Sequence, residues 1–490
     1  MPFNYATLLS LCKDKGICGL PEYIEENDSV LEKVRQLKDL IQRSKYTVMI
    51  TGAGISTSVG ILDFRGPNGI WTNEEKLQFT KSHDMDGAIP SYTHFAIRAM
   101  TEKELVDMTI SQNVDGLHLK SGLNKSKLIE LHGNMYIEKC DRCSNQRERK
   151  EPVPSIGFRK VGTVCGANKF HGQCRGIMHD VVLDWDTDID STLLSNARLA
   201  CQQADLVICV GTSLRMMPCG KLPLLGKTIV IINLQETLLD QSAYMIIRQR
   251  CDQVFSMLLS QIHCPVNLGW YCSAIKERPK KILNSSLQTT INANLPMRMY
   301  ILSGKRKCGK DFIAKQIENI LPAVYTLRIS KPLKEEYAIA HKLNISDLLD
   351  STEYKERYRA DMVAYGENIR NKDSEYFCRK VVEEAETKSH PIWLLTDARR
   401  KSDLKFFSQL MKHRLVTIRI FCDDTCRSRR RWKLDPIIDF SETECNLDDV
   451  NFDWYIENDD SKKSLFNINE ELTNLLRNDL YKIGLTFTKY

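Results

Sequence analysis

The 490-residue chain has no apolar run long enough to span a bilayer, so no transmembrane segment is expected. The opening MPFNYATLLSLCKDKG has no uninterrupted apolar h-region, so no secretory signal is expected either. The chain lacks a Ser-Lys-Leu-type ending and a prenylation box. It also lacks a strong excess of one charge: 69 Lys and Arg against 63 Asp and Glu leave +6. That balance suits anionic ligands or a basic patch, but is not by itself a nucleic-acid footprint. Cysteine is plentiful, at 17 residues. Without secretion these are expected to be reduced thiols, and clustered ones then read as metal ligands before disulfides. With 42% hydrophobic and 27% charged residues the chain is of the soluble globular class, and its length predicts two or three domains.

One stretch orders the first half: SQNVDGLHLKSGLNKSKLIELHGNMYIEKCDRC, from Ser111 to Cys143. It holds a polar triplet (Gln112, Asn113, Asp115), a candidate base at His132 and half a metal site, which belong to different layers of chemistry. Upstream, a helical pattern through Val30, Leu31, Val34, Leu37, Leu40 and Ile41 leads to TVMIT, a β-branched run expected to be a buried strand. Gly52-x-Gly54 follows at once, with Ala53 between and Ser56 after. A strand, such a loop and a helix start bring backbone N–H groups against a pyrophosphate, although Gly60 stands too far on to be the usual third glycine. Taken alone, the pattern is also that of an ordinary tight turn. Asp63, Phe64 and Arg65, in a loop reaching Trp71, are either a surface turn or the lining of a cofactor mouth. LVICVGTSL (206–214) and TIVIINLQ (228–235) read as parallel strands, ending in Gly211, Thr212, Ser213 and Asn233.

Cys140, Cys143, Cys165 and Cys174 form a C-x2-C-x21-C-x8-C set. Four thiolates close a zinc tetrahedron and leave no open position, so this metal is expected to be structural. The alternatives are that Cys165 and Cys174 are core thiols, or that His171 substitutes for one of them.

From about Asn267 the pattern changes to a basic cluster (Lys276, Arg278, Lys280, Lys281) and a Ser/Thr/Asn-rich run, expected to be a linker over 267–298. A new core starts at 299 with MYIL, then Gly304-x4-Gly309-Lys310 and an amphipathic helix through Phe312, Ile313 and Ile317. This is a phosphate-cradling P-loop pattern. Asp311 stands where a Ser or Thr usually serves magnesium. Arginines follow: Arg370, then Arg399 and Arg400 just past the strand of IWLLTDARR and beside Asp397, then Arg419 and CRSRRRW with Arg427 and Arg430. No lone carboxylate or histidine stands out as a base. That suits a phosphate acceptor, already a nucleophilic anion, for which arginines supply positioning and charge neutralisation.

TGAGIS, DFRG, SQNVDGLH, LHGN, the four cysteines, VGTSL and INLQ make residues 3 to 262 similar to the sirtuin family of NAD-dependent protein deacylases, and the opening NYA…DKG-x-CGLPE, with no long insertion between GAGIS and SQNVDG, resembles most its chromatin-associated sirtuin-six branch. The resemblance implies a Rossmann-like domain over 1–266, with a small zinc module inserted near 136–180. It implies that Gly52, Ala53, Gly54, Ser56, Gly211, Thr212, Ser213 and Asn233 hold NAD. Asp63, Phe64, Arg65 and Trp71 would shape the nicotinamide end; Gln112, Asn113 and Asp115 would position ribose and nicotinamide. His132 would be the general base, and Trp185 would flank the acyl-lysine of a protein substrate such as a histone tail. Leu62 replaces the proline usual before DFR, and the spacing of the second cysteine pair is shorter than in that branch.

GKRK-x-GKDF, YKE-x-YR-x-DM, FCRK, PIWLL-x-D-x-RR, SETEC and FDW-x-IEN make residues 299 to 480 resemble the animal-type phosphomevalonate kinase. This implies a nucleoside-monophosphate-kinase-like α/β domain over 299–490 that moves the ATP γ-phosphate to 5-phosphomevalonate with Mg2+. Gly304, Lys305, Arg306, Lys307, Gly309, Lys310 and Asp311 would make the nucleotide loop, with Lys310 catalytic. Arg370, Arg399 and Arg400 would hold the acceptor, while Arg419, Arg427 and Arg430 would close from a lid. The expectation is therefore an α/β fusion of two enzymes, with no membrane partner. Chromatin would draw the first half to the nucleus and isoprenoid synthesis the second to the cytoplasm. The other readings are an NAD-sensing chromatin-binding module, a nucleotide kinase, or two separate proteins joined in one sequence.

Overall fold

The computed structural model describes residues 8–10, 12, 15–76, 87–169, 172–185, 187–276, 295–345, 348, 354, 357–388, 390–430, 439, 442–458 and 465–487. It divides into two compact units, Met1–Asn284 with Tyr481–Thr486, and Ser285–Leu480 with Phe487–Tyr490. His171, the cations Arg278, Lys280 and Lys281, and the Ser/Thr/Asn-rich run to Asn294 lie outside the described residues. No helix among the described residues is long and apolar enough to cross a membrane.

In the first unit, α1 (Asn27–Arg43) buries Val30, Val34, Leu37 and Ile41, a spacing that sets them on one face. It feeds β1 (Thr47–Thr51), in which every residue is buried. Such a run, without hydrophobic alternation, marks a strand covered on both faces. With β2 (Met108–Ser111), β3 (Leu128–Glu130), β4 (Leu206–Val210), β5 (Thr228–Ile232) and β6 (Met245–Ile247) it forms a six-stranded sheet of order β6-β5-β4-β1-β2-β3. Every pairing is parallel. The strand order reverses between β1 and β4, which opens a crevice at their carboxyl ends. One face is closed by Val48, Ile50, Ile110, Val207, Cys209 and Ile231, packed with Ala197, Ala200 and Cys201. After Gly52 the chain makes two 3-10 turns, Ala53–Ile55 and Thr57–Val59, where the sequence predicted the start of a helix.

A smaller antiparallel sheet is inserted after β3, in the spatial order Gln146–Glu148, Ile137–Cys140, Ile177–Asp180, Lys160–Val164. Glu138 is fully buried in it and accepts from Arg147 Nε at 2.6 Å and Arg149 Nη1 at 2.7 Å. A buried carboxylate needs such partners, because desolvation otherwise outweighs its other interactions.

The linker expected from 267 is corrected at its start. Leu268–Lys276 is a helix whose Leu268, Tyr271 and Ala274 are buried. Tyr271 packs on Phe95 with ring centroids 4.3 Å apart, and Arg98 lies 3.8 Å over the Trp270 ring. Apolar residues in LGWYCSAI, diluted by the basic cluster after them, were the signal for a packed helix.

In the second unit, β7 (Arg298–Ser303), β8 (Val324–Leu327), β9 (Ile392–Leu395), β10 (Leu415–Phe421) and β11 (Trp454–Glu457) form a parallel sheet of order β8-β9-β7-β10-β11. β7 is central, between β9 and β10, so the loop that leaves it lies at the switch point of the sheet. Met299, Ile301, Phe377, Trp393, Leu395 and Phe407 form the core on one face. The helix Lys310–Ile320 buries Ile313, Ala314, Ile317 and Ile320; Phe312, expected on that face, is 38% exposed.

Two histidines are buried side by side in the first unit, His94 and His118, with ring centroids 4.8 Å apart. His94 Nδ1 accepts from Ser91 N at 3.2 Å, completing a capping box at the helix Tyr92–Glu102; His118 Nε2 pairs with Thr51 Oγ1 at 2.9 Å. Burial pushes both imidazoles down, His118 to about 3, with His94 lowered further by its neighbour. An unfolded histidine takes up its proton near 6.5, so below that pH the unfolded chain binds more protons than the native one. Stability is then full above about pH 6.5 and falls as pH drops, by up to about 1.4 kcal/mol per pH unit for each histidine. Thermal unfolding of the full chain followed down from neutral pH should show this loss, with a shallower slope in His118→Gln.

Candidate functional sites

The first site lies at the crevice between β1 and β4. A Cβ on Gly52 would meet Gly211 O at 2.7 Å and one on Gly54 would meet it at 2.8 Å, so the two loops touch through bare backbone. Gly211 has φ +59, a left-handed conformation that glycine takes without strain. Gly52, Ala53, Gly54, Asp63, Phe64, Arg65, Trp71, Gln112, Asn113, Asp115, His132, Trp185, Gly211, Thr212, Ser213 and Asn233 all line this one cleft. Ser56 does not reach the surface of the cleft. It is buried behind the wall, where its hydroxyl donates to Asp115 Oδ2 at 2.7 Å.

The polar triplet is held from the ends of β1 and β2. Asn113 Nδ2 donates to Gly52 O at 3.1 Å, and Asp115 Oδ1 accepts from Leu117 N at 2.9 Å. Burial raises the Asp115 carboxyl against those bonds, and pushes Asp63 up to about 6 despite the Gly66 N–H that Asp63 accepts at 3.0 Å. Gln112 Nε2 donates to Thr212 Oγ1 at 3.3 Å, joining β2 to the loop after β4. His132 Nδ1 lies 2.9 Å from Gln112 O, and a carbonyl can only accept, so Nδ1 carries the proton and Nε2 the lone pair. Burial lowers the imidazole's pKa and the Gln112 carbonyl partly restores it.

At the mouth, Phe64, Trp71 and Trp185 pack as a three-ring box with centroids 4.9, 5.1 and 5.8 Å apart. Arg65 lies 4.5 Å over Trp71 and donates from Nε to Lys15 O at 2.8 Å. Asn233 Nδ2 is turned onto Gln235 O at 2.8 Å. Sequence reasoning missed Asp184, Met216, Met217 and Gln235, which also line the cleft. It missed Cys219 as well, whose Sγ lies 3.5 Å from His132 Nε2.

The second site surrounds the loop Gly304–Lys310. Gly309 has φ +91, and a Cβ there would overlap Asn458 Nδ2, which donates to Cys308 O at 3.0 Å. Lys310 Nζ donates to Gly304 O and, at 3.2 Å, to Lys305 O; burial lowers its pKa. Lys307 takes φ +64 at the turn, and Asp311 is exposed in the first turn of the helix.

Each expected arginine meets a carboxylate or a loop carbonyl. Arg306 donates to Asp439 at 3.0 Å and Lys305 pairs with Asp448 at 2.9 Å. Arg399 pairs with Glu444, which also accepts from Arg306 N at 2.8 Å. Arg400 pairs with Glu367, and Arg370 stands 4.0 Å from Asp403. Asp403 also accepts from the Arg399 and Arg400 backbone, at 3.2 and 3.1 Å, and so gathers the three. Arg427 Nε donates to Arg306 O at 3.1 Å and Arg430 Nη1 to Cys308 O at 3.0 Å, so both brace the loop itself. Arg419 was expected in a lid but is a residue of β10, donating to Ser303 Oγ at 2.9 Å and Asp448 at 2.6 Å. Asp397, beside Arg399 in sequence, accepts instead from Ile329 N and Ser330 N at 2.7 and 2.9 Å.

Residues 77–218 match the Sir2 family model. The NAD-dependent protein deacetylase Sirt6 of Drosophila melanogaster is 44% identical over 264 residues, covering 52% of this chain and 83% of that protein. The chain belongs to the Sir2 family. The NAD-dependent protein deacetylase sir-2.4 of Caenorhabditis elegans is 36% identical over 54% of this chain and 94% of its own length. A solved structure of Sir2 bound to acetylated peptide aligns at 26% identity over 47% of this chain and 99% of that one, with a TM-score of 0.37. Residues 302–413 match the phosphomevalonate kinase model, so the C-terminal region carries a phosphomevalonate kinase domain beside the Sir2 domain.

The inserted sheet of the Sir2 domain carries the cysteine cluster. The sulfurs of Cys140, Cys143, Cys165 and Cys174 all lie within 4.8 Å of one another, with Cys140 to Cys174 at 3.8 Å and Cys143 to Cys165 at 3.5 Å. A tetrahedron with Zn–S bonds of about 2.3 Å places sulfurs about 3.8 Å apart, so the four fit zinc. Backbone N–H groups of Arg142 and Gly176 point at Cys140 and Cys174 Sγ, at 3.3 and 3.4 Å, and would stabilise thiolate ligands. The x8 spacing proves no obstacle, because the strands Asn168–Lys169 and Gly172–Gln173 form a hairpin that returns Cys174 to Cys165. Metal analysis of purified protein should find one zinc per chain, and Cys174→Ser should lose most of it along with thermal stability.

Proposed function

We propose that the chain is a fusion of two working enzymes, an NAD-dependent protein-lysine deacylase and an ATP-dependent phosphomevalonate kinase. The observation that carries the first reading is one cleft holding bare-backbone loops, a polar triplet and a neutral imidazole with a fixed tautomer. Gly52, Ala53, Gly54, Gly211, Thr212, Ser213 and Asn233 bind NAD, with Ser56 supporting Asp115 from behind. NAD supplies a ribose carbon activated by a leaving nicotinamide. Asn113 and Asp115 orient the ribose, and Gln112 ties their strand to the loop after β4. Asp63, Phe64, Arg65 and Trp71 enclose the nicotinamide end, and the Trp71–Trp185 ring pair borders the acyl-lysine. His132 accepts at Nε2 the proton that a ribose hydroxyl must lose, a transfer suited to an imidazole that is neutral near pH 7. The likeness to relatives named as protein deacetylases supports this substrate class, with a histone tail as the protein that presents the lysine.

In the kinase domain the P-loop with Lys305, Arg306, Lys307 and Lys310 cradles ATP, with Asp311 on the magnesium side. Arg370, Arg399 and Arg400 hold the acceptor phosphate and carboxylate of 5-phosphomevalonate, while Arg419, Arg427 and Arg430 neutralise the transferring group. The acceptor phosphate is already an anion, so positioning and charge neutralisation replace a general base.

The two activities are independent, since each unit holds its own ligand set. His132→Ala is expected to cut nicotinamide release with an acylated histone peptide by about 100-fold or more while leaving phosphoryl transfer intact. Arg400→Ala should cut phosphoryl transfer to phosphomevalonate by about 100-fold and spare deacylation. Loss of both activities from either change overturns the independence. Deacylation should also decline on the acid side only as pH falls through a His132 pKa below the ordinary 6.5, because the neutral imidazole is the active form.

A further inference from the structure

The thiol of Cys219 faces the base of the Sir2 domain. Cys219 begins the 3-10 turn Cys219–Leu225, directly after Pro218, and is fully buried. A Cβ on the next residue, Gly220, would overlap Leu214 O, so the turn lies hard against the 211–214 loop. Cys219 Sγ lies 3.5 Å from His132 Nε2. Because Nδ1 spends its proton on Gln112 O, Nε2 can only accept, and the donor must be the S–H of Cys219.

We infer that Cys219 is a positioning residue for deacylation, donating its S–H to His132 Nε2 and so setting the ring's orientation and basicity. The inference rests on the reading of His132 as the general base. Burial pushes the thiol up to about 12, which keeps the proton on sulfur at any working pH. A thiol is a weak donor, so it holds the lone pair only loosely and yields to a ribose hydroxyl that competes for it. The charged groups that line the same cleft are engaged elsewhere. Asp115 accepts from Ser56 and Leu117 N, Asp184 from Ser10 and Trp185 N, and Asp63 from Gly66 N, while Arg65 donates to Lys15 O. The ring nitrogens are thus governed by one carbonyl and one thiol.

A donor to Nε2 stabilises the neutral ring and lowers its pKa, so changing the donor moves the pH dependence in a known direction. The acid limb of kcat/KM for NAD, which reports the free enzyme, should shift to higher pH in Cys219→Ala, where the donor is gone. It should shift to lower pH in Cys219→Ser, where a hydroxyl donates more strongly; each shift is about half a pH unit to one unit. Full-length protein is used, with thermal unfolding to confirm that both variants fold. A limb that stays in place, or moves the same way in both variants, overturns the inference and leaves Cys219 as packing. His132→Ala run alongside separates the two claims, because substantial activity there sinks the base assignment itself.

Discussion

The Sir2 domain depends on one close approach, that of the loop after β1 to the loop after β4. Neither Gly52 nor Gly54 has room for a Cβ against Gly211, and Gly211 itself takes a left-handed backbone. Bare backbone at this point lets N–H groups face a pyrophosphate where a side chain would hold it away. The contact also fixes what lies on either side. Asn113 reaches from the end of β2 to Gly52 O, and Gln112 reaches to Thr212. The carbonyl of the same Gln112 then sets the tautomer of His132. Gly133, next to that histidine, sits so near Val181 O that no other residue fits without displacing the chain. The geometry of the cleft is therefore a consequence of backbone packing, with the polar groups hung from it.

In the kinase domain the corresponding role falls to side chains that hydrogen-bond the loop's backbone. The P-loop is braced from outside by Arg427 and Arg430 on its carbonyls and by Glu444 on the Arg306 N–H. Asn458 closes the same loop from β11's end through the Cys308 carbonyl, opposite a glycine that must be a glycine. Arginines that read as ligands in the sequence thus have a structural share as well.

Much of this was legible from residues alone. Strands TVMIT and LVICV are continuous β-branched or apolar runs, and such runs have few other places in an α/β fold. The four cysteines were legible because a metal tolerates variable loops between its ligands, and the pairing of Asn168–Lys169 with Gly172–Gln173 shows how. Spacing along the chain says little about direction in space, and there the reading ran short. Arg419 reads like the arginines of the run that follows it, but strand alternation points it from β10 toward Ser303. Asp397 adjoins Arg399 in sequence yet serves the backbone at Ile329 and Ser330. Cys219 stands 87 residues from His132, and only the sheet order brings the two together. The helix from Leu268 was hidden because its short apolar stretch runs straight into a run of cations.

The pairing of Arg370, Arg399, Arg400 and Arg419 with Asp403, Glu444, Glu367 and Asp448 has a consequence for selectivity. An anion arriving at these guanidinium groups meets competitors already there. A singly charged visitor exchanges one carboxylate for another and gains little Coulomb energy, whereas a phosphate near neutral pH brings close to two charges and several oxygens. The acidic partners thus act as a charge threshold. Chloride, acetate and other monoanions would gain little by displacing such a carboxylate, whereas an anion richer in charge would gain more.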